Sequence, residues 1–67
     1  MVRLRELVHA HLHAHPGLDF SPAELANALG RPGSRGAIIN ACRRLVADGV
    51  AVLACPRPQR FQAAPPT

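Results

Sequence analysis

Apolar and polar positions recur along this chain with two periods, and the change from one to the other falls at Gly49. Within 34–48, Ile38, Ala41, Cys42 and Leu45 follow the i, i+3, i+4, i+7 spacing of a buried stripe, which predicts a helix there. Upstream, 2–14 sets Leu4, Leu7, Val8, His11 and Leu12 on one face and predicts a first helix, ended by Pro16-Gly17. A second start signal stands at Ser21-Pro22-Ala23-Glu24. There Ser21 is the N-cap, Pro22 fits the first helical position, and Glu24 closes a capping box. Phe20 can staple against Leu25. The helix of 22–30 turns Leu25, Ala26 and Leu29 inward and stops at a left-handed Gly30. Ala26 and Ala28 are small enough to let the next helix approach closely. That helix follows a turn at Arg31-Pro32-Gly33, with Ser34 expected to cap it and Gly49 to end it.

After Gly49 the period is two. Residues 50–55 read as a strand, 56–58 as a rigid turn with Arg57 at its tip, and 59–63 as the returning strand with Phe61 facing inward. Residues 18–20 are extended, either a one-bridge strand or an apolar tether. The fold predicted is mainly α with a small β-hairpin, three helices in a single domain over 1–64. Residues 65–67 form a tail or the stub of a linker.

A chain of 67 residues with 48% apolar content has enough for one core and too much for a disordered tail. Only two aromatics are present, so Leu, Val, Ile and Ala must fill that core. No apolar run reaches the ~20 residues that span a bilayer. Arg3, Arg5 and Glu6 interrupt any signal-peptide core, so a cytoplasmic location without membrane attachment is expected.

Charge changes the picture by its position. The net charge is +4 and every basic residue is Arg. Residues 1–30 are close to balanced, whereas 31–67 carry Arg31, Arg35, Arg43, Arg44, Arg57 and Arg60 against Asp48 alone. A GC-rich coding sequence can explain Arg in place of Lys, but not the missing acids. The asymmetry points to a polyanion on one side of the fold. On the helix of 34–48 the face opposite the stripe holds Gly36, Asn40, Arg43 and Ala47, flanked by Ser34, Arg35, Ile39 and Arg44. Solvated faces usually mix both signs of charge. This one is small, polar and cationic, and it suits a DNA groove.

Other chemistry is sparse. Cys42 and Cys55 make no disulfide framework, and buried thiols are the default reading. His9, His11, His13 and His15 alternate, so His9/His13 and His11/His15 each share a helix face. Two ligands without a nearby carboxylate or thiol fall short of a structural zinc set, and no metal or other cofactor is expected. No nucleophile–base arrangement or phosphate-cradling loop is present, and the chain is too small to wall off a pocket of ordinary size. An enzyme is not expected.

The segments SPAELANALG, SRGAIINACRRLVADGVAVL and RPQRFQA, in that order and spacing, resemble the winged helix-turn-helix superfamily in its bacterial regulator form. The likeness covers roughly residues 3–63. The stretch around Leu29-Gly30-Arg31 and Gly36-Ala37-Ile38-Ile39-Asn40-Ala41 is also similar to the C-terminal DNA-reading domain of hexameric DNA translocases and conjugative transfer ATPases. The resemblance implies sequence-specific binding of double-stranded DNA, for transcription regulation or translocase guidance. The helix of 34–48 would enter the major groove, and the wing of 50–63 would meet the backbone or minor groove. It implies Arg35, Gly36, Ile39, Asn40 and Arg43 as groove contacts, Ser34 as a phosphate contact, and Arg57 and Arg60 as wing contacts. Arg31 and Arg44 would hold phosphates. A homodimer or a tandem arrangement on DNA stays open. The alternative is a winged-helix module that binds another protein.

Overall fold

The computed structural model describes residues 3–65. Along the chain come α1 (Leu4–Ala14), α2 (Pro22–Ala28), a 3-10 turn (Pro32–Ser34), α3 (Arg35–Ala47), and the strands β1 (Ala51–Pro56) and β2 (Gln59–Ala63). The expected architecture of three helices and an antiparallel hairpin is present. Val2, placed by sequence at the start of the first helix, and Pro66 and Thr67 of the tail lie outside the described residues. Among the described residues no helix is long and apolar enough to cross a membrane.

Packing follows the apolar stripe of α3. Ile38, Ala41, Cys42 and Leu45 are all buried, as their spacing requires. They meet a core formed by Val8 and Leu12 of α1, Leu25 and Ala26 of α2, and Ala51, Phe61 and Ala63 of the hairpin. Full burial of a Leu, Ile, Val or Phe side chain contributes about 1.5–3 kcal/mol each, so this one seam carries much of the fold's stability. Leu4, Phe20, Leu29, Val46 and Val50 close its edge. Ala28, expected at the helix–helix contact, is exposed, and only Ala26 is buried there.

The helix ends follow local chemistry, with one exception. Ser21 Oγ accepts from the Glu24 backbone N–H (3.1 Å), while the Ser21 N–H donates to Glu24 Oε1 (2.9 Å), completing the capping box. Gly30 and Gly49 have φ of +69° and +78°, and each closes a Schellman motif. In the first, the Arg31 N–H donates to Ala26 O at 2.8 Å and the Gly30 N–H to Asn27 O at 3.1 Å. In the second, Val50 N–H meets Leu45 O at 3.1 Å and Gly49 N–H meets Val46 O at 3.0 Å. The exception is Ser34, whose side chain makes no capping bond to α3. The turn from Pro32 already runs into the helix, leaving Ser34 at φ −107°, ψ 23° instead of the extended conformation that lets Ser21 cap.

The hairpin is fastened to the segment before α2. The Phe20 N–H donates to Phe61 O and the Phe61 N–H to Phe20 O, both at 2.8 Å, so 18–20 does form a one-bridge strand. Leu18, at 55% exposure, stays outside the core that Phe20 joins. β1 and β2 pair from Ala51↔Ala63 to Pro56↔Gln59, with a bulge between Leu53 and Cys55. The connection is therefore shorter than predicted, Arg57-Pro58 alone, because Pro56 still belongs to β1.

A Cβ built on Gly49 meets nothing within 4 Å, so its glycine is required by backbone conformation alone. Gly49→Ala should cost about 1–2 kcal/mol, the strain of a left-handed L-residue. Urea unfolding should show a lower midpoint with an unchanged slope.

Candidate nucleic-acid interface

Burying one stripe of α3 turns the opposite side outward. Gly36, Asn40, Arg43 and Ala47 are all exposed and form its crest. Arg35, Ile39 and Arg43 lean to the hairpin side, where Ile39 is half-buried and forms a wall, not part of the crest. Arg44 leans to the other side, its Nε 3.5 Å from Asp48 Oδ1 one turn on, with both groups open to solvent. Such an exposed pair is worth little and leaves Arg44 able to exchange partners.

A trough separates the crest from the hairpin. One part, about 360 Å³, is lined by Ser21, Pro22 and Ala23 at the start of α2, Arg35 and Ile39 of α3, and Pro58 and Gln59. A second, about 160 Å³, lies between Arg43 and Val46 of α3 and Leu53 and Phe61 of the hairpin, and Gln59 borders both. The floor is apolar and arginines stand on the helix side. Arg57, next to Pro58 at the hairpin turn, is exposed. No protein-family model, curated protein or solved structure matches this chain.

The geometry of this surface sorts the sequence-proposed arginines. Arg31, Arg35, Arg43 and Arg57 are exposed, and among the described residues none of them makes an ion pair. Arg60 is different. Its Nε lies 2.9 Å from Asp19 Oδ1, and its Nη2 lies 2.8 Å from Glu24 Oε1 and donates to the Asp19 carbonyl at 3.2 Å. Its hydrogen bond to the Asp19 carboxylate, helped by the charges of Asp19 and Glu24, raises the guanidinium's pKa above its ordinary value. On the acid side, hydrogen bonds from the Ser21 backbone and hydroxyl, then the charge of Arg60, hold the Glu24 carboxyl below its usual range. Arg60 thus links the hairpin to the capping box of α2, and its guanidinium is engaged within the fold. Its acids lie 41 and 36 positions upstream, so sequence proximity could not reveal the pairing.

Other groups fall outside this surface. Cys42 is buried and free, and desolvation pushes its thiol up to about 11. Cys55, expected to be buried, is half-buried instead, and its Sγ donates to the Arg57 carbonyl at 3.5 Å. The histidines sit on α1 away from the crest, and among the described residues no three His, Cys, Asp or Glu side chains converge on one point.

The two thiols should behave differently. In the native chain one thiol per molecule, Cys55, should react with a thiol reagent at neutral pH, and two should react in denaturant. Because burial raises the Cys42 pKa, the associated stability is complete below the ordinary value of 9.0 and is lost as pH rises toward about 11. Thermal melts should therefore fall across that window.

Proposed function

We propose that this chain is a winged helix-turn-helix domain that binds duplex DNA, with α3 in the major groove and the hairpin against the backbone or minor groove. One observation carries the reading. A helix crest without a carboxylate, bearing Gly36, Asn40 and Arg43, lies beside a hairpin whose tip carries Arg57, exposed and in no ion pair among the described residues. Arg can donate two hydrogen bonds to guanine O6 and N7, and Asn can pair with adenine N6 and N7. Gly36 allows close backbone approach, and a Cβ there meets nothing of the protein within 4 Å. Arg31, Arg35 and Arg57 serve as phosphate contacts, joined by Arg44 when it leaves Asp48. Ser34 stands at the start of α3, where the first amides have no side-chain cap. Such amides donate to a phosphate oxygen. Ile39, on the trough wall, meets the sugar edge or a thymine methyl. The role, as transcription regulator or as the DNA-reading part of a translocase, follows from the sequence resemblance alone.

A protein partner on the same surface is the second reading. Leu53, 42% exposed beside Val46, is the observation that favours it.

Binding to duplex DNA should weaken with salt at a log–log slope of about −3 to −4, from three or four neutralised phosphates. Arg43→Ala should weaken a selected site by roughly 1–3 kcal/mol more than random DNA, whereas Arg57→Ala should weaken both alike. Arg60→Gln should lower the melting temperature yet leave the salt slope within about 0.5 of wild type, since no phosphate contact is lost. The sharpest variant is Gly36→Ala. It should stabilise the fold by up to about 1 kcal/mol, as Ala does over Gly in a helix, while weakening DNA binding. A rise in both stability and affinity would remove α3 from the groove.

A further inference from the structure

The last two turns of α1 and its C-cap, His15, carry four histidines that the DNA reading leaves without a task. Helical geometry sets them in two pairs, each one turn apart on a shared face. The rings of His9 and His13 lie 4.4 Å apart, and those of His11 and His15 lie 4.9 Å apart. Their surroundings differ. His11 and His15 both pack edgewise on Phe20, at 4.8 and 5.9 Å, so their rings are engaged with the core's edge. His13 is held otherwise, with Nε2 3.2 Å from the Val50 carbonyl oxygen.

A carbonyl only accepts, so in this contact Nε2 carries the proton and Nδ1 keeps the lone pair. Metal-ligating histidines are commonly arranged in this way, the second ring nitrogen donating to a backbone carbonyl that fixes the tautomer. We propose that His9 and His13 form a two-ligand site for a borderline divalent transition cation, with His13 oriented by Val50 and water filling the remaining positions. Imidazole ligation selects Zn²⁺, Ni²⁺ or Cu²⁺ over Mg²⁺ or Ca²⁺, and affinity at such a site rises from Ni²⁺ to Cu²⁺. Because no carboxylate or thiol among the described residues joins the pair, the ion is exchangeable and the fold does not require it. Val50 begins the path into β1 directly after the cap of α3, so an ion held through His13 also braces the junction between α1 and the hairpin.

The test uses the chain without a polyhistidine tag, freed of metal by chelator, and titrates NiCl₂ and, separately, MgCl₂ while following thermal unfolding. Ni²⁺ should raise the melting temperature saturably with one ion per chain, and Mg²⁺ should not, because a ligand bound only to the native state stabilises it by mass action. His13→Ala and His9→Ala should each weaken Ni²⁺ binding at least tenfold by calorimetry, while His11→Ala and His15→Ala change it less than twofold. His13 is exposed, so its variant keeps the fold for the calorimetric measurement. Absence of Ni²⁺ binding by the wild-type chain overturns the proposal. So does equal loss from all four variants, or loss only from His11 and His15. None of these outcomes bears on DNA binding.

Discussion

One constraint organises this molecule: the stripe Ile38, Ala41, Cys42 and Leu45 must leave water, and α1, α2 and the hairpin are the surfaces that cover it. A helix cannot bury one side without showing the other. The outward direction of Gly36, Asn40, Arg43 and Ala47 is therefore fixed by the core, not by any interaction of their own. Side chains presented in this way stand on a rigid element packed on three sides, which is what a surface meant to fit a rigid partner requires.

The second organising feature is the division of arginines between structure and surface. Arg60 sits between Asp19 and Glu24 and joins three parts of the chain: the hairpin, the bridge at Phe20 and the start of α2. It acts together with the reciprocal Phe20–Phe61 backbone bonds, so the hairpin is held at two neighbouring points. With those acids occupied, the charge on the rest of the second half of the chain points outward with little to balance it, apart from the loose Arg44–Asp48 pair. The polarity seen in the sequence thus becomes stronger on the folded surface.

Much of this was legible from residue spacing. The buried stripe of α3, the capping box at Ser21 and Glu24, and the left-handed Gly30 and Gly49 depend on neighbours within a turn or two, and local patterns report local physics. The missed features have non-local causes. Arg60 finds its acids across the fold, and Ile39 becomes a wall only because the hairpin stands beside it. Ser34 departs from its expected capping role for a subtler reason. A Ser before an apolar-periodic run is a sound cap signal, but the preceding Pro32-Gly33 starts the helical turn early and takes away the extended backbone that capping needs. The carbonyl partner of His13, 37 positions downstream, was equally invisible to spacing.

Under the proposed function, the acid-poor crest of α3 and the hairpin tip meet one double helix together. Amide chemical-shift mapping of the labelled chain against a mixed-sequence duplex at low salt addresses it most directly. Shifts should concentrate at Arg35, Gly36, Asn40, Arg43 and Arg57, with α1 unmoved from Leu4 to Leu12. Shifts confined to α1, or none on α3, would contradict it.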